Sequence, residues 1–96
     1  MGRIIKLLDI VGRLSEFDEE YTIYVSKPWT EESDAMVAAE TEEGLVPAKA
    51  AKAGLTYFIE IYLAIEFIDA WVASQKEKPS LSDICERLIY YATYDA

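Results

Sequence analysis

Apolar residues Ile4, Leu7, Leu8, Val11 and Leu14 recur at helical spacing, with Arg3, Lys6, Asp9 and Arg13 on the opposite side. The spacing predicts an amphipathic helix over residues 3–14, weakened slightly by Gly12. From Tyr21 the period drops to two. Tyr21, Ile23 and Val25 alternate with Thr22, Tyr24 and Ser26, and Pro28 ends the run, which reads as a strand. Residues 28–34 are polar and turn-like. Ala35-Met36-Val37-Ala38-Ala39 then reads as a second strand and the hairpin partner of the first.

Residues 40–45 read as an acidic loop closing on Gly44. Pro47 suits the first position of a short helix over residues 48–53, because its missing N–H is not needed there, and Gly54 suits the C-terminal stop. Residues 55–75 are almost continuously apolar. One helix across them would bury nearly every face, so a strand over 55–61 followed by a helix over 62–74 is the better division, although no Ser, Thr, Asp or Asn stands at that helix start. Phe67 and Trp71, four apart, read as core. Ser80, with Asp83 three residues on, reads as the cap of a last helix whose apolar stripe is Leu81, Ile84, Cys85, Leu88, Ile89 and Ala92. The predicted order is helix, strand, strand, short helix, strand, helix, helix. This is an α+β domain spanning residues 1–96, with a small antiparallel sheet of about three strands packed against helices.

Charge sharpens this picture. The 96 residues carry a net charge of −9, and all of it falls within residues 16–43, where ten acids face one base, Lys27; elsewhere eight acids meet eight bases. At 52% hydrophobic residues the chain is too apolar to be disordered despite that charge. So negative a surface disfavours direct binding to nucleic acid and to anionic membranes. Glu60, Glu66 and Asp69 also interrupt the most apolar run, each at a cost of roughly 2.5–3.5 kcal/mol in a bilayer centre. Lys6 and Asp9 break any signal-peptide core, and the single cysteine leaves no internal disulfide, so a cytoplasmic protein is expected.

The residues Tyr24-Val25-Ser26-Lys27-Pro28-Trp29-Thr30, followed by Ser33-Asp34-Ala35 and later by Gly54-Leu55-Thr56-Tyr57, resemble a family of short bacterial proteins. That family is a domain of unknown function with a Tyr-x-x-x-Pro-Trp-Thr signature, and the likeness covers residues 17–74. It implies that the Gly-Leu-x-Tyr run is a strand entering a helix. It implies no activity.

The chemistry available is narrow. Without histidine there is no Ser-His or Cys-His nucleophilic pair and no His-based zinc site, and four scattered glycines build no phosphate loop. Cys85, on an apolar stripe, reads as a buried, inert thiol. The acids at 18–20 and 31–34 lack calcium-loop spacing and read as solvated loop charge. No cofactor, metal or catalytic residue is expected. Trp29 has two readings. Either its indole covers the end of the sheet with its N–H bonded to backbone, or it is an exposed binding hot spot. Thr30 reads as a turn cap acting with Ser33. Tyr90 and Tyr94 share a helix face, which is either a partner surface or an edge of the core.

The expected function is that of a non-catalytic acidic interaction module docking on a basic partner, as an immunity or inhibitor-type protein does. Its expected partner-binding residues are Trp29, Glu31, Glu32 and Asp34. A DNA-mimic inhibitor, occupying a nucleic-acid site on another protein, and a small-molecule-binding or enzymatic domain using carboxylates are the alternatives. Surplus apolar faces on the last two helices would suit a homodimer.

Overall fold

The β-rich run around Ile23 carries apolar or aromatic side chains on both faces, and the chain uses it as an inner strand. The computed structural model describes residues 3–41 and 46–95. Along them run β1 (Ile5–Lys6), α1 (Leu7–Val11), a single 3-10 turn (Leu14–Glu16), β2 (Thr22–Ser26), β3 (Asp34–Ala38), α2 (Ala48–Lys52), β4 (Leu55–Glu60), α3 (Ile61–Ala73) and α4 (Leu81–Tyr94). The strands form an antiparallel sheet in the order β1-β3-β2-β4. The predicted hairpin is therefore its centre, and the α+β architecture holds with one strand more than the three expected.

The additional strand corrects the N-terminal helix predicted over residues 3–14. Ile5 and Lys6 pair with Ala35 and Asp34, covering part of an edge whose N–H and C=O groups would otherwise lie open. The helix starts only at Leu7. No side chain caps it; instead the N–H groups of Leu7 and Leu8 donate to the carbonyls of Ser33 and Glu31, both at 3.0 Å. Ile10, absent from the predicted stripe, becomes fully buried, and Ile4 is left exposed.

The division of residues 55–75 into strand and helix stands, with the boundary one residue earlier than expected. Its missing cap has the same solution as in α1. Ile61 N–H donates to the Tyr21 carbonyl at 2.9 Å, and Tyr62 N–H to that of Glu19 at 3.3 Å. A β-bulge adjusts the register of β4 against β2: Ile59 faces Ile23 and Tyr57 faces Tyr24, so Phe58 is an extra residue. Consequently Phe58 and Ile59, although adjacent, both enter the same core.

That core lies between one sheet face and α1, α3 and α4, and is built from Leu7, Ile10, Ile23, Val25, Val37, Phe58, Ile59, Ile61, Cys85 and Leu88 among others. The opposite face is partly covered too. There Tyr24, Met36 and Leu55 pack with Ala50 of α2, so helices lie on both faces of the sheet. Of the predicted acidic loop, residues 42–45 lie outside the described residues. Pro47 occupies the N-cap position of α2, just before its first residue, and Gly54 follows the helix at φ 77°, the left-handed conformation of a C-terminal stop. Ser80 and Asp83 form a reciprocal capping box on α4. Leu81 stands exposed, while the remainder of the α4 stripe is buried or half-buried. Phe67 packs on the core and stacks on Tyr91, with centroids 4.2 Å apart. Trp71 lies outside the core, on an open groove with Tyr90.

Candidate functional site

The four residues expected to bind a partner stand at one end of the central hairpin. Trp29 is half-buried. Its indole meets Phe58 edge-on at 4.9 Å, its N–H donates to the Val25 carbonyl at 3.3 Å, and the Lys27 ammonium lies 5.4 Å from its ring. Thr30 and Ser33 close the turn beside it: Thr30 N–H donates to Ser33 Oγ at 2.9 Å, and Ser33 Oγ donates to the Pro28 carbonyl at 3.0 Å. The acids that follow are engaged as well. Glu31 accepts from the Ser82 hydroxyl at 2.8 Å, bridging the turn to α4. Glu32 pairs with Lys6. Asp34 lies across the ladder from Lys6 and adds to the field that raises that lysine's pKa, chiefly through the Glu32 bond. The side chains of Glu32 and Glu31 thus tie the corner to β1 and α4, while the Ser33 and Glu31 carbonyls tie it to α1.

A different group of acids gathers at the other end of the hairpin. β2 and β4 run antiparallel with Thr22 opposite Glu60, so the segments before β2, after β3 and at the β4–α3 junction converge there. The Thr22 hydroxyl donates to Glu40 at 3.1 Å, and the Tyr57 hydroxyl donates to Glu60 at 3.4 Å. Burial, followed by the negative charges of Glu60 and Glu40, pushes the Tyr57 phenol up to about 12. Tyr62 is raised chiefly by Glu60, with Glu66 and Glu20 also contributing. Tyr24, enclosed beneath, is raised by burial and then by Glu40. Tyr57 and Tyr62 are 44% and 41% exposed, so two rings stand open in a field of carboxylates drawn from three distant segments. Among the described residues none of Glu20, Glu40, Glu60 and Glu66 is in an ion pair with Lys or Arg.

The acidic stretch does not reveal this group, because only Glu20 and Glu40 belong to it. The signal available was the polar set Tyr57, Glu60 and Tyr62 within an otherwise apolar run. The carboxylates are too dispersed to chelate. Among the described residues no three acidic, Cys or His side chains are placed to hold a metal ion. Such a surface can present spread negative charge and two aromatic rings to a macromolecule. No helix among the described residues is long and apolar enough to cross a membrane.

The fold and this surface define a small antiparallel α+β protein with its hairpin ends chemically distinct. The chain belongs to the family described as Domain of unknown function (DUF7716), which matches residues 4–96 and so extends well beyond the stretch that carried the resemblance. No curated protein and no solved structure matches the chain.

Proposed function

We propose that the protein is a non-catalytic interaction module that receives a basic partner protein at the Tyr57–Tyr62 face, in the manner of an immunity or inhibitor protein. The observation that carries this reading is the placement of two exposed phenol rings among Glu20, Glu40, Glu60 and Glu66, with no internal cation neutralising them among the described residues. Tyrosine is favoured at binding hot spots, and surface carboxylates that no internal cation pairs with steer a basic partner. The Trp29 corner differs in that Lys6 pairs with Glu32 and Lys27 lies over the indole. In this reading the Tyr-x-x-x-Pro-Trp-Thr motif serves the fold, with Trp29 closing the core.

Affinity capture from the native host tests the assignment, using wild-type protein, a Tyr57→Ala/Glu60→Lys variant and a Glu31→Lys/Glu32→Lys variant. Loss of the captured partner with the first pair and its retention with the second support the Tyr57–Tyr62 face. The reverse result moves the site to the Trp29 corner. Affinity that is equal at low and high salt overturns the basic-partner reading altogether.

A further inference from the structure

Two arginines of this acidic protein, Arg3 and Arg13, line a cavity beside β1, the edge strand opposite to β4. β1 pairs only as far as Ala35 on β3, and continuing its register brings Arg3 level with Val37. α1 passes above, and after Gly12 the chain returns through Arg13 and the 3-10 turn. Between these pieces a cavity of about 260 Å³ remains. The half-buried Ile5 and Phe17 give it apolar surface, and the buried Ile10 and Val37 of the main core also adjoin it. Arg3 and Arg13 stand on its rim. Neither guanidinium has a hydrogen bond or ion pair among the described residues, and Glu16 is the one carboxylate on the lining.

We propose that this cavity binds a small organic anion: a carboxylate carried on an aromatic body. A guanidinium is always charged and presents a planar fork that matches a carboxylate, so two of them at the mouth fix the head group. The apolar floor takes the body out of water. Size limits the ligand. A cavity of roughly 150 Å³ holds benzene, so this one admits a single ring with a short acidic arm. Glu16 at the rim disfavours a dianion more than a monoanion, which places a monocarboxylate ahead of a phosphate ester.

The test is a titration of the full chain followed by amide NMR, with phenylacetate as the probe and phenylacetamide and acetate as controls. Phenylacetate is expected to shift the amides of Ile5, Ile10, Arg13, Phe17 and Val37 saturably. Each control, lacking the charge or the ring, is expected to bind about tenfold more weakly or less. The Arg3→Gln/Arg13→Gln variant keeps both stems and is expected to lose about tenfold in phenylacetate affinity while binding phenylacetamide as wild type does. Absence of saturable shifts at these amides, equal affinity for the acid and its amide, or undiminished binding of the acid by the double variant would overturn the proposal.

Discussion

The indole of Trp29 meets the ring of Phe58 edge-on, with centroids 4.9 Å apart and the rings inclined at 87°. Phe58 is the extra residue of the β4 bulge, so the contact joins the turn of the hairpin to that irregularity in the sheet. Trp29→Ala removes this contact and the bond to the Val25 carbonyl. The half-buried ring predicts a loss of about 2–4 kcal/mol, read as a lower denaturant midpoint. Trp29→Phe, which keeps a ring, should lose less than half of that. Unchanged stability in Trp29→Ala would return the residue to the role of an exposed hot spot.

Ser80→Ala removes the acceptor for Asp83 N–H, a bond of 3.0 Å, and opens one side of the capping box. The helix carries Cys85 and Leu88 into the core, so its fraying is felt globally. A loss of about 1 kcal/mol is expected in urea unfolding. Ser82→Ala, whose hydroxyl only bridges to Glu31, should cost less.

Gly54 adopts φ 77°, and a Cβ built there meets no heavy atom within 4 Å. Gly54→Ala is therefore predicted to destabilise through backbone strain alone, by about 1–2 kcal/mol. Gly54→Asn should recover part of this, since Asn tolerates the left-handed region better. Equal midpoints for Ala and glycine would refute the account.

Burial pushes the Cys85 thiol from 9.0 up to about 12, with the charges of Glu31 and Glu86 adding to the effect. The folded state thus keeps its proton where the unfolded chain has lost it. That contribution is complete below the unfolded value of 9.0 and is lost as pH rises toward about 12. One such group gives a slope of at most about 1.4 kcal/mol per pH unit. Unfolding free energies measured across this window should fall less steeply in Cys85→Ala than in the wild type. Thiol-reactive dye should modify Cys85 only as fast as the protein opens.

Much of the local structure was legible because it depends on neighbours in the chain. The alternation around Ile23, the Ser80–Asp83 cap, the glycine after α2 and the break after the strand at residue 60 each follow from a few adjacent residues. The N-terminal helix is shorter than its spacing predicts for a related reason: Ile5 and Lys6 are taken up by the edge of β3, a partner about 30 residues away. The acidic group around Tyr57 and Tyr62 is not legible in the sequence because its members lie on separate segments, whereas Glu31, Glu32 and Asp34 adjoin Trp29 along the chain.

By itself the sequence determined the class of fold, the central hairpin, the cap of the last helix, the stop after α2 and the excess of negative charge, all properties that local periodicity and composition carry. Only the tertiary structure decided where that charge acts. Antiparallel pairing set Thr22 beside Glu60, the bulge turned Phe58 and Ile59 to one side, and the ladder laid Lys6 beside Asp34 and within reach of Glu32. Such register depends on how distant segments share a buried face, and no spacing within one segment records it.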